Sequence, residues 1–149
     1  MSDTYKMKRI IVFVAFFFVA AFVSSDVMAQ CDAEGYGNAC IPKLASGFNF
    51  LKSYKIDSEG GAKDKVEYSY VFTKGTQYYI NLCAGGSNTD GLVVSLYDAK
   101  RNIVATSKVN GEFVSAIAYP CNATGIYYIQ YTFSGSSSKC GGSALGFKR

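Results

Sequence analysis

The side chains able to do chemistry in this sequence are few, and their types narrow the possibilities quickly. The 149 residues include no His, which excludes imidazole bases, Ser-His and Cys-His nucleophile pairs and His-ligated zinc. The acid–base candidates left are carboxylates: Asp57 and Glu59 in the stretch 56–62, and Asp90 in the loop Gly86–Gly91. A glycosidase needs two carboxyls held rigidly across one sugar bond. These three instead sit in glycine-flanked turns, where acidic and amide side chains serve local hydrogen bonding. No catalytic residue is assigned, and a small hydrolase using them ranks third among the readings. Calcium could use the same loop oxygens, but the spacing of an EF-type loop is missing, so neither metal nor other cofactor is assigned. Gly85-Gly86 and Gly141-Gly142 lack the Lys-Ser/Thr that follows a phosphate loop and read as turns. Asn122-Ala-Thr124 matches a glycosylation triplet, which matters only in a eukaryotic source.

Five cysteines fall beyond residue 29: Cys31, Cys40, Cys83, Cys121 and Cys140. In an oxidising compartment they should pair. If each hairpin reverses the chain, Cys83 and Cys140 come to one end of the domain, and Cys40 and Cys121 to the other. The favoured pairing is therefore Cys83–Cys140 with Cys40–Cys121, and the local alternative is Cys31–Cys40. No CxxC is present to suggest a metal site. Cys31, left over, is the candidate for lipidation, because it lies just past an apolar leader where bacterial lipoproteins carry their acylated cysteine. Lipoprotein signals prefer a small residue just before that cysteine, and Gln30 stands there instead.

Aromatic residues are the other chemical resource: 12 Tyr and 11 Phe, with no Trp. Taking the more apolar face of each strand as inward, Tyr79, Tyr97 and Tyr128 point outward on three strands. Such rings could stack on sugars or anchor a protein partner, or simply cover neighbours in cross-strand pairs.

The elements that must hold these residues have period two. Val66, Tyr68, Tyr70 and Phe72 alternate with Glu67, Ser69, Val71 and Thr73, which predicts a strand over 65–73 with one buried face. Further strands are expected over 48–56, 77–84, 92–97, 103–108, 112–119, 126–133 and 144–148. No segment has a convincing period of 3.6. Eight strands about a dozen residues apart, joined by Gly/Asn/Asp/Ser turns, predict an all-β, antiparallel, jelly-roll-like sandwich spanning 47–149. Residues 30–46 read as a cysteine-bearing lead-in pinned to it.

Residues 1–29 read as an export signal. Lys6, Lys8 and Arg9 precede an apolar run from Ile10 to Val23, too short for a membrane span, and Val27-Met28-Ala29 fits cleavage before Gln30. Met7 is an alternative start. The remaining chain has 12 Lys/Arg against 9 Asp/Glu, too weak and scattered a balance to imply nucleic acid, and no transmembrane span is expected in it.

Tyr68–Ile80, Val94–Asp98, Ile103–Ser107 and Thr124–Tyr128 together resemble bacterial prepeptidase C-terminal domains and small exported β-sandwich proteins of Bacteroidota. The shared pattern is a glycine turn leading into a strand, a Leu-Tyr-Asp strand before a turn, and a Gly-x-Tyr opening a late strand. The resemblance covers about Val66 to Phe133 and implies a jelly-roll-like, non-catalytic accessory domain. The added cysteines and the missing enzyme partner depart from it. The sequence therefore points to an exported, non-enzymatic binding or structural module, secreted or periplasmic or lipid-anchored, with a protein or glycan partner at the cell surface. The alternative is a carbohydrate-binding module using Tyr79, Tyr97 and Tyr128.

Overall fold

Alternation of apolar and polar residues dictates two layers of extended chain. The computed structural model describes residues 30–85, 91–135 and 139–149. The expected signal over residues 1–29 lies outside them. Among the described residues ten strands form: β1 (Asn49–Asp57), β2 (Lys65–Phe72), β3 (Gln77–Ala84), β4 (Leu92–Tyr97), β5 (Ile103–Thr106), β6 (Lys108–Val109), β7 (Glu112–Phe113), β8 (Ala116–Pro120), β9 (Gly125–Phe133) and β10 (Cys140–Lys148). One sheet has the order β1-β10-β3-β8 and the other β2-β9-β4-β5, all antiparallel, while β6 and β7 pair as a separate hairpin. Leaving that hairpin aside, the long strands run first-eighth-third-sixth in one layer and second-seventh-fourth-fifth in the other. This is the strand order of a jelly roll, two Greek keys folded together.

Between the layers lie Tyr54 and Ile56 of β1, Phe72 of β2, Tyr78, Ile80 and Leu82 of β3, Val94 and Leu96 of β4, Tyr127, Ile129 and Tyr131 of β9, and Leu145 of β10. Phe72 is stacked between Tyr78 and Tyr127, with ring centroids 3.7 and 4.8 Å away. The tyrosines bring hydroxyls into this core, and Tyr131 donates its own to Ser143 at 2.9 Å.

Three expectations about elements change. The strand expected over 112–119 is divided into β7 and β8, and the one over 103–108 into β5 and β6. The turn between β6 and β7 is Asn110-Gly111, both at positive φ, the two-residue connection that favours Asn-Gly. Gly141-Gly142, read as a turn, belongs to β10, which starts four residues earlier than expected.

The lead-in is not irregular either. It carries an α-helix, α1 (Ala33–Cys40), followed by a 3-10 turn (Ile41–Lys43). Asp32 starts it, its Oδ1 accepting from the Gly35 amide at 2.9 Å, a standard N-cap. Eight residues with two glycines make a poor isolated helix, so no periodicity announces it and tertiary packing must hold it. It lies on the outer face of the first sheet. A Cβ on Gly142 would come within 2.6 Å of the Gly37 Cα, so only glycine at 142 lets helix and strand backbones touch. Asn81 of β3 donates to the Cys40 carbonyl at 2.8 Å and accepts from the Ala144 amide at 2.9 Å, satisfying a buried helix end.

The helix also decides the disulfides. Cys31 is bonded to Cys140, and Cys40 to Cys83. Neither expected pair forms, nor does Cys31–Cys40. Strand parity does bring Cys83 and Cys140 to one end of the sheet, where Gly142 is in register with Cys83. What it missed is that α1 runs back over that end and presents a cysteine to each. Cys121 is bound at the opposite end of β3, its amide donating to Thr76 at 3.0 Å. Six residues of strand, about 20 Å, separate Gln77 from Cys83, far beyond disulfide reach of Cys40. Cys121 stays a buried free thiol, 3.1 Å from the Ala123 carbonyl. Cys31, the lipidation candidate, has its sulfur in a disulfide and none left for a thioether.

Two outcomes test this arrangement. Proteolytic mapping without reductant should recover Cys31–Cys140 and Cys40–Cys83 peptides, with Cys121 alkylated only after denaturation. Gly142→Ala should lower the unfolding free energy in urea by about 2–3 kcal/mol, the cost of overpacking a tight contact, because the helix has to lift off the sheet.

Candidate docking face

The two outer faces of the sandwich are treated differently by the chain. On the first sheet, α1 covers Cys83, Gly142 and Ala144, and the Phe48 ring lies 5.1 Å from Tyr79. On the second sheet, cross-strand register lines up Ser69 of β2, Tyr128 of β9, Tyr97 of β4 and Ile103 of β5. Val71 and Ile126 are paired in the adjoining row. Both rows face outward, since Leu96, Tyr127 and Ile129, their strand neighbours, point into the core. Val71, Ile103 and Ile126 are 57%, 55% and 48% exposed. β-branched and aromatic residues build strands well, but polar ones would serve as well on a wetted face. Apolar side chains grouped in this way make the face a candidate interaction surface.

Arg101 completes the row. Its guanidinium lies 3.6 Å from the centre of the Tyr128 ring and donates to Glu67 Oε2 at 2.8 Å. Gln130 donates to the same oxygen at 3.1 Å. The β4–β5 turn aims it. Asp98 Oδ1 accepts from the amides of Lys100 and Asn102 at 2.9 and 2.8 Å, and Oδ2 from the Asn102 side chain at 3.0 Å. These bonds hold Arg101 at φ 66°, a left-handed conformation a non-glycine residue keeps only when its surroundings insist. The hydrogen bond from Arg101, more than that from Gln130, holds the Glu67 carboxyl below its ordinary range against the opposing effect of partial burial.

Next to Ile126 the face runs into an open groove of about 350 Å³ between the Asp98–Asn102 turn and residues 123–126, with Tyr127 also lining it. Burial raises the Tyr127 phenol above its usual range, reinforced by the Tyr119 hydroxyl and the Cys121 thiol. The Tyr127 hydroxyl itself donates to the Ala123 carbonyl at 2.9 Å.

The residues proposed from sequence divide between these features. Tyr97 and Tyr128 are direct cross-strand neighbours on the second sheet. Tyr79 is on the outer face of the first sheet, against Phe48, so the three rings form no common platform. One face of the Tyr128 ring is taken by Arg101. Asp57 caps a turn, its Oδ1 accepting from the Glu59 amide at 2.7 Å, and Glu59 is ion-paired with Lys63; Asp90 lies outside the described residues. Among the described residues no cluster of three metal-ligating side chains occurs, and no helix is long and apolar enough to cross a membrane. Sequence reasoning missed Arg101, Val71, Ile103 and Ile126. Alternation already put Val71 and Ile126 outward, whereas the stacking of Arg101 needs the turn geometry.

No family model and no curated protein matches the chain. Among solved structures it is similar to PliG of Aeromonas hydrophila, a periplasmic inhibitor of g-type lysozyme, at 16% identity and TM-score 0.41, over 70% of this chain and 90% of that one. It is also similar to a chain of the glycosylation-associated protein (Gap123) complex of Streptococcus agalactiae, at 17% identity and TM-score 0.39, over 69% of this chain and 39% of that one.

The clamp should respond to acid. A carboxylate whose folded pKa is depressed contributes stability above its unfolded value, about 4.3 for Glu, and loses it as pH falls through the lower folded value. Glu67→Gln should therefore melt below the parent at pH 6, and the difference should vanish near pH 2.5 when both are followed by thermal unfolding.

Proposed function

We propose that this chain is an exported, non-enzymatic binding module that docks a protein partner on the outer face of its second sheet. One observation carries the reading. Tyr97 is paired with Tyr128, whose ring lies under a pre-positioned Arg101, and Val71, Ile103 and Ile126 are exposed around them. Interface hot spots are enriched in such tyrosines and arginines, and an ordered anchor loses little entropy on binding. Two disulfides fit an oxidising compartment, in line with the export signal read from residues 1–29. The likeness to prepeptidase C-terminal domains supports the same class of role, a domain that attaches rather than catalyses. The aliphatic residues flanking the tyrosines, and the guanidinium over one ring, suit a protein surface better than a sugar.

Site-specific photocrosslinking in the native host tests this. A benzoylphenylalanine at Val71 or Ile103 should crosslink one defined protein, while the same probe at Ser46 should not. Arg101→Ala should weaken capture at least about tenfold, the effect of losing a hot-spot side chain. Equal crosslinking from all three positions, or capture abolished by free glycans, would overturn the reading.

A further inference from the structure

The charges around the groove are unevenly satisfied. Glu67 is neutralised by Arg101. Asp98 lines the groove, but its oxygens accept three N–H donors of its own turn. Lys100 lines the same groove. On the opposite side the backbone of Lys74 is tied to a lining residue, its amide donating to the Thr124 hydroxyl at 2.9 Å. The ion pairs among the described residues are Lys55–Glu34, Lys63–Glu59 and Arg101–Glu67, so neither Lys74 nor Lys100 forms an ion pair there, although the charge of Lys100 acts on the Asp98 carboxyl of its own turn. Between them the groove offers Ile126, nearly half exposed, as an apolar contact.

We infer that this groove takes an acidic segment of a protein partner, one that places an apolar side chain against Ile126 and carboxylates against Lys74 and Lys100. The inference rests on the docking face proposed above and names the chemistry of what docks. Complementary charge is what selects among occupants here. A second copy of this chain would bring the same lysines against each other, and a basic partner would be repelled. An anionic polysaccharide would satisfy the lysines but leave the apolar residues against water.

Titration of the full chain, as recovered after export, with defined probes decides the matter by amide NMR shifts. The acidic peptide acetyl-DEFLDE-amide should shift amides of residues 99–102 and 124–126. It should bind at least about tenfold tighter than acetyl-KKFLKK-amide and weaken as salt rises from about 50 to about 300 mM. The double variant Lys74→Glu/Lys100→Glu, both exposed positions, should keep the parent's spectrum and lose at least about tenfold in affinity. Equal or tighter binding of the basic peptide at the same residues overturns the acidic preference while leaving the docking face in place. Alginate binding as tightly as the acidic peptide overturns the protein partner. No shift at the groove with either peptide overturns the inference, and shifts confined to the outer face of the first sheet overturn the docking face as well.

Discussion

The structure depends on a place where two backbones touch. Gly142 of β10 and Gly37 of α1 meet with no side chain between them, and this sets the height of the helix above the sheet. At that height Cys40 reaches Cys83, Cys31 reaches Cys140, and the Cys40 carbonyl reaches the Asn81 amide. Raise the helix by one methyl group and all three are strained together. The helix has little intrinsic propensity of its own, and it exists because the sheet beneath it was left bare at one residue. Cross-links and close contact reinforce each other: the disulfides restrict the unfolded chain, and the glycine pair makes their geometry attainable.

That arrangement gives the sandwich two unlike sides. The first sheet uses the lead-in as its cover, so Tyr79 spends its outward ring on Phe48. Among the described residues no such segment lies over the Tyr97–Tyr128 row of the second sheet, and there the chain has invested in order. Asp98 fixes a turn, the turn fixes a left-handed Arg101, and Arg101 is held over Tyr128 by Glu67 and the ring together. A strained residue kept in place on an exposed apolar strip is more organisation than a solvent-facing surface needs.

The sequence carried the sandwich clearly, because a period of two survives in strands such as β2 and β3: Val66 to Phe72 and Tyr78 to Leu82 could be assigned inward by alternation alone, and the core has them there. It carried the site in part. Alternation sent Tyr97 and Tyr128 outward, but only the fold decides that they share a sheet and Tyr79 does not. Turn chemistry was ambiguous where it mattered most. Gly141-Gly142 reads as a turn by composition, yet Gly142 is required by a helix packed across it, a contact between residues more than a hundred positions apart, while a Cβ on Gly141 would run into the Cys83 carbonyl and Leu92. The cysteine pairing failed for the same reason, since strand parity knows nothing of an eight-residue helix that packing alone holds together.

The bond between Cys31 and Cys140 also has a mechanical meaning. It joins positions 109 residues apart, one just before the helix and the other at the start of the last strand. Tension applied along the polypeptide enters at residue 31 and leaves at residue 140 through that bond, without passing through the strands between. The jelly roll is thereby shunted out of the load path. In the docking role proposed above, the grip on a partner is then decoupled from whatever pulls on the ends, and only the final strand can be peeled.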